Sequence, residues 1–285
     1  MRTRRFPAST RRKPMRTILT TISSVVAVVA ALGFAYATFF PAQARIPADT
    51  QSIVSHSPSP APQTTETPSA ATNPSGTGAV ALNTTMVQDA ITELPDLPVK
   101  VRTKVPGYER GCKAGQGCVF GPAWTDDTSA PGGHNGCDTR NDVLHATLSN
   151  IEFKGTSKCV VTRGTYVEPY FGTAETFVKG EPTATQDEVD HTYPLAAAWD
   201  MGADTWSIEK RKAFANDIQY ELVLTTHAIN DQKSALTAGE WLPLLRSPAA
   251  ACNYAARYVL TASRYGLPIT PLDKTAISKA FTACR

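Results

Sequence analysis

The chain of 285 residues carries 28 Lys and Arg against 25 Asp and Glu, but seven of the basic residues lie before an apolar run, and from Ile91 onward 20 basic residues face 22 acidic ones. That balance excludes nucleic-acid binding driven by global charge, so any such contact must come from a local patch. The first ninety or so residues do not read as core-forming sequence, which leaves about 190 residues for one globular unit.

In chain order, residues 1–17 are a basic segment expected to stay on the cytoplasmic side. Residues 18–40 (ILTTISSVVAVVAALGFAYATFF) hold no charge and are long enough to span a bilayer as one helix. Ala42-Gln43-Ala44 follows with a small-x-small pattern suited to signal-peptidase cleavage. Cleaved secretion and a retained membrane anchor both fit this pattern, and either places the rest of the chain outside the cytoplasm. Residues 41–90 are dominated by Ser, Thr, Pro and Ala, a composition that buries too little apolar surface to order itself, so a disordered tether is expected.

The folded unit is expected over residues 91–285. Ala90 to Val105 reads as an opening strand or short helix, broken by Pro95 and Pro98. A turn near Gly136 leads into a short helix from Asn141 to Leu148. Cys159 to Thr165 and Ala174 to Val178 read as strands around a Pro-Tyr-Phe-Gly turn. Helices are expected over Leu195–Met201, over Ser207–Asn216 and over Ala249–Tyr265, where Gly266 stops the apolar spacing. Tyr220 to Thr226 reads as a strand, and Thr270-Pro271 opens a last helix with Thr as cap and Pro in the first turn. The class is α+β.

All six cysteines (Cys112, Cys118, Cys137, Cys159, Cys252 and Cys284) follow the apolar run. An even number in an exported segment points to three disulfides, with nearest-neighbour pairing expected, although the sequence alone permits other connectivities. The spacing matches no zinc pattern. No Gly-x-Ser-x-Gly turn appears, and pairing accounts for every Cys, so a serine or cysteine hydrolase is a poor fit.

The densest group of chemistry-bearing residues is Glu188, Asp190 and His191, followed about forty residues later by Asn230, Asp231, Gln232 and Lys233. Hydrolysis of a phosphodiester needs an activated water, charge neutralisation at phosphorus and help for the leaving alkoxide. A neutral His suits the first task. Carboxylate and amide oxygens suit Mg²⁺ or Mn²⁺, which accept few protein ligands and keep several waters. Arg140 either grips a phosphate or ties its own loop to Asp138 or Asp142. Lys233 either neutralises a phosphate or is a solvated helix charge. Trp124, Trp199, Trp206 and Trp241 read as core rather than as base-stacking residues. His134, His145 and His227 have no partner pattern, although His227 precedes Asn230 by three residues.

A series of words runs along the chain: FGPAW at Phe120–Trp124, NGCDTRNDVL at Asn135–Leu144, KCVVTRGT at Lys158–Thr165 and EVDHTYPLAAAWDMGA at Glu188–Ala203, then FAND at Phe214–Asp217, NDQK at Asn230–Lys233 and EWLP at Glu240–Pro243. Their order resembles the C-terminal domain of GmrSD-type restriction endonucleases, a branch of the HNH (His-Me finger) nucleases. The resemblance implies a ββα-metal core with added helices, His191 as general base, Asp190 and Asn230 as ligands of Mg²⁺ or Mn²⁺, and DNA, or alternatively RNA, as substrate. Arg140 and Lys233 become candidates for substrate binding. Two positions depart from the family pattern. Glu221 stands where an Asn usually orients the catalytic His, and it either orients the imidazole by accepting its N–H or joins the metal. Ser234-Ala235 stands where Gly-Asp is usual. These departures keep a second expectation open, a catalytically silent extracytoplasmic binding module on the same scaffold.

Overall fold

The computed structural model describes residues 78–180 and 187–284. The apolar run and most of the tether lie outside them. Among the described residues no helix is long and apolar enough to cross a membrane.

The folded unit begins within the stretch read as tether. Helix α1 (Thr84–Glu93) is capped by Asn83, whose side chain accepts the Met86 N–H, and it buries Val87 and Ala90. It packs on α7 (Pro248–Tyr265). From α7, Asn253 accepts from the Asn83 N–H and donates to the Ala81 carbonyl. Val87, Ala90 and Ile91 share one helical face at i, i+3 and i+4, a pattern that the surrounding Ser and Thr obscure when composition is averaged.

Helix α2 (Thr139–Thr147) is capped by Asp138, which accepts the Asn141 N–H at 2.8 Å. Strands β1 (Ser149–Phe153), β2 (Val161–Val167) and β3 (Ala174–Val178) form an antiparallel sheet in that order. The expected strand at Cys159–Thr165 is therefore displaced by two residues toward the C-terminus, because Cys159 is held in the Cys137–Cys159 bridge. Strands β4 (Asp187–His191) and β5 (Leu222–Thr226) pair antiparallel as a separate ribbon, with Asp187 opposite Thr226 and His191 opposite Leu222. Between them in sequence lie α3 (Leu195–Asp200) and α4 (Ile208–Ala215), and α5 (His227–Lys233) follows β5 directly.

The ribbon lies between two cores. Val189, Leu222 and Leu224 join a cluster with Val143, Leu144 and Phe177, whereas Val223 joins the helical cluster that contains Tyr254 and Trp241. Alternation of side chains along a strand produces this division. It also sends Asp190 and His191 to opposite faces of the ribbon.

The remaining helices are α6 (Ala238–Trp241), α7 and α8 (Pro271–Ala283). Helix α7 stops at Gly266, whose φ of 67° is the left-handed conformation that a helix end of this kind requires. Thr270 and Asp273 form a reciprocal capping box at the start of α8. Three disulfides join Cys112 to Cys118, Cys137 to Cys159 and Cys252 to Cys284, the nearest-neighbour pairing, and no described cysteine is free. The fold is mixed α+β, with two small antiparallel sheets.

Candidate active site

His191 ends β4, and its ring is buried. Nε2 lies 3.1 Å from the carbonyl of Ala215, the last residue of α4, and the ring stacks on Trp124 with centroids 6.0 Å apart and planes within 15°. Burial is the largest cause pulling its pKa from 6.5 to about 3, and the positive charges of Arg110 and Lys233 act in the same direction. The ring is therefore neutral at pH 7. A carbonyl oxygen only accepts, so Nε2 carries the proton and Nδ1 keeps its lone pair. Among the described residues Nδ1 has no hydrogen-bond partner.

Asp190 points to the other face. Its Oδ1 accepts from Lys233 Nζ at 3.0 Å and its Oδ2 from the Tyr170 hydroxyl at 2.6 Å. Lys233 has no exposed side-chain surface, and it also donates to the His191 carbonyl at 2.8 Å. This lysine is neither a solvated helix charge nor open to a phosphate. It joins the end of α5 to the end of β4, holding Asp190 and the His191 backbone together.

Asn230 donates through Nδ2 to Glu188 Oε2, which leaves its Oδ1 without a partner among the described residues. Glu188 Oε1 accepts from His227 Nδ1 at 2.8 Å, and His227 Nε2 lies 3.2 Å from Asp231. The hydrogen bond to Glu188, followed by the charge of Asp231, raises the pKa of His227. A cleft of about 390 Å³ is lined by Arg110, Asp190, His191, Asn230, Asp231 and Ser234, among others. The structure thus brings Asp190, His191 and Asn230 to one opening. Asp190 and the Asn230 amide oxygen are a donor set suited to a hard cation with two protein ligands. Among the described residues no group of three or more His, Cys, Asp and Glu is arranged around a metal position.

Two expected site residues stand elsewhere. The Arg140 guanidinium donates to the Asp187 carbonyl at 2.8 Å, at the opposite end of β4 from His191, and lines a separate hollow with Lys179. Glu221 is fully buried. Its Oε2 accepts the Tyr193 N–H at 3.0 Å, while Oε1 has no partner among the described residues. Burial pushes the Glu221 carboxyl well above the usual carboxylate range. The acceptor for the His191 ring is thus the Ala215 carbonyl, and Glu221 instead fixes the backbone just after His191.

Nothing in the sequence marks Arg110 or Trp124 as functional. Arg110 carries no motif, and its loop is defined only by the Cys112–Cys118 bridge. A Trp within a Gly-Pro-Ala-Trp word reads as core. Trp199 and Trp241 are indeed buried, but Trp124 is only partly so.

The family described as GmrSD restriction endonucleases, C-terminal domain, matches residues 138–280, which include Asp190, His191 and Asn230. An uncharacterized secreted protein of Arthroderma benhamiae is 31% identical over 149 residues, covering 52% of this chain and 68% of that protein. No solved structure matches the chain.

Proposed function

Because the chain belongs to the family of GmrSD restriction endonuclease C-terminal domains, we propose that it is an exported, metal-dependent endonuclease that hydrolyses phosphodiester bonds of DNA, with RNA as the alternative substrate. The observation that carries this reading is the buried, neutral His191, whose Nε2–H is taken by the Ala215 carbonyl and whose Nδ1 is left as a base. In this reading Nδ1 takes the proton of the attacking water. The β4–β5–α5 arrangement is read as the ββα-metal core. An exported location fits the apolar run with its basic flank and the secreted relative.

Asp190 and the Asn230 amide oxygen would hold Mg²⁺ or Mn²⁺, which supplies charge neutralisation at the phosphate and the leaving oxygen. Lys233 and Tyr170 fix the Asp190 carboxylate for this role by donating to its two oxygens. Arg110, at the rim, is placed to attract the phosphate. The substitution at Glu221 does not deprive His191 of an orienting acceptor, since Ala215 supplies it. The catalytically silent module keeps one observation in its favour, that among the described residues no group of three or more His, Cys, Asp and Glu is arranged around a metal position. Cleavage of plasmid DNA with Mg²⁺ or Mn²⁺, lost in EDTA and in His191→Ala, separates the two readings.

A further inference from the structure

His191 is shared by two openings. Besides the polar cleft that holds Asp190 and Asn230, a second opening of about 330 Å³ is lined by Arg110, Phe120, Pro122, Trp124, Leu195 and Asn216, among others, and it too reaches His191. Arg110 and Leu195 also line both. One opening offers carboxylate and amide oxygens, and the other offers aromatic and aliphatic walls with one cation at the rim.

We propose that the second opening is a nucleobase subsite, in which Trp124 receives the base beside the scissile phosphate and Arg110 grips the phosphate between the two openings. The proposal rests on the nuclease reading and adds to it a contact that lies outside residues 138–280, the part matched by the family.

Three independent features support it. Trp124 has φ of 58°, a left-handed conformation that is costly for a bulky residue and persists only where the surroundings enforce it. Its carbonyl accepts the Thr139 N–H at 3.2 Å, and the neighbouring Thr125 carbonyl accepts the Thr139 hydroxyl at 3.0 Å, so the start of α2 holds this turn in place. The ring is thereby kept partly open at the edge of the core cluster that contains Val189 and Leu222, and close to parallel with His191. Second, Asn216 is 1% exposed, and its Oδ1 is buried with no hydrogen-bond partner among the described residues, while Nδ2 donates to the Lys212 carbonyl at 2.9 Å. An unpaired acceptor on a residue that lines an otherwise apolar opening suits the amino or imino N–H of a base. Third, Arg110 is exposed, and among the described residues its guanidinium has no hydrogen-bonding or carboxylate partner. Its loop is closed by the Cys112–Cys118 bridge and by the pairs Cys118 N–H to Gly111 carbonyl and Val119 N–H to Glu109 carbonyl. The cation is therefore held at the rim by a clipped loop and is free to meet a phosphate. Stacking of a base on an aromatic ring is sequence-tolerant, so the subsite accepts all four bases.

The test is titration of the full chain, with its disulfides oxidised and Mg²⁺ present, with each deoxynucleoside 5′-monophosphate and with base-free 2-deoxyribose 5-phosphate. Tryptophan fluorescence and calorimetry are the readouts. Neither ligand is a phosphodiester, so no turnover intervenes. The nucleotides are expected to bind about ten-fold or more tighter than the sugar phosphate. Trp124→Ala should reduce that preference to within about three-fold, while Arg110→Ala should weaken both ligands alike. Equal affinity of the wild-type chain for nucleotide and sugar phosphate, or no binding of either, overturns the subsite whatever the variants do. A preference that survives intact in folded Trp124→Ala also overturns it. A chain that prefers nucleotides but cuts no plasmid keeps the subsite and loses the nuclease reading. One that cuts plasmid but ignores the base does the reverse.

Discussion

Lys233 Nζ sits 3.0 Å from Asp190 Oδ1 with its side chain wholly removed from solvent, so the end of α5 and the end of β4 are joined by a buried ion pair. Removing one partner of such a pair leaves a buried charge uncompensated, at a cost of about 3–5 kcal/mol. Lys233→Met is therefore expected to lower stability by that amount. Combining it with Asp190→Asn should cost less than the sum of the two single changes, because the second change removes the orphaned charge. Urea unfolding of the four proteins measures the coupling, and strict additivity would show that the pair is not formed.

The buried His191 makes stability depend on pH in a defined window. Its pKa lies at about 3 in the folded chain against 6.5 when exposed. Between those values the unfolded chain binds a proton that the folded chain does not, so stability falls as pH drops from 6.5 toward 3. His191→Asn, which cannot titrate, should flatten that slope. Catalysis should likewise show no loss with a midpoint at about 6.5, the behaviour of an exposed imidazole. A rate profile with that midpoint would contradict the buried, neutral ring.

Glu221 acts in the opposite direction. Its folded pKa is raised by burial, so its contribution to stability is present below the ordinary carboxyl value of 4.5 and is lost as pH rises through the folded value. Glu221→Gln, which can still accept from the Tyr193 N–H, should raise the melting temperature at pH 7 relative to the parent and narrow the difference near pH 4. It should leave plasmid cleavage within about two-fold of the parent, since each 1.4 kcal/mol of lost transition-state stabilisation is ten-fold in rate and Glu221 makes no contact with the His191 ring.

The three disulfides should differ in what they do. Cys252–Cys284 joins α7 to the end of α8 across a separation of 32 residues, and its removal is expected to cost about 2–4 kcal/mol. Cys112–Cys118 closes only a separation of 6 in an exposed loop, so Cys112→Ser with Cys118→Ser should shift the melting temperature less and weaken phosphate binding more. Paired melting curves and monophosphate titrations distinguish these outcomes. Alkylation of the unreduced chain should label no cysteine.

Much of this architecture is legible in the residues. The helix at α7, its stop at Gly266 and the capped start of α8 follow from apolar spacing and local capping chemistry, which act over a few residues. The cysteine pairing agrees with the nearest-neighbour expectation, one of several connectivities that the sequence permits. The two words that contain Asp190 with His191 and Asn230 point to one site, and the structure brings these residues to one cleft. Helix α5 is not legible, since HAINDQK has only Ala228 and Ile229 as apolar residues and so shows no helical apolar spacing, and its order comes from the Thr226 cap and the buried Lys233. The partner of the His191 ring is not legible either, because a backbone carbonyl such as that of Ala215 has no side-chain signature. Arg140 carries the right charge but donates to the Asp187 carbonyl because α2 packs against β2 and β5, which no local pattern encodes.

Whether His191 Nδ1 is the base of a metal-dependent nuclease is decided by plasmid cleavage with the full oxidised chain in Mg²⁺, Mn²⁺ or EDTA, beside His191→Ala. Nicking is expected with either metal, none in EDTA, and a loss of about 10²-fold or more in His191→Ala. Absence of cleavage by the parent under every condition, or cleavage that persists unchanged in His191→Ala, would contradict that role.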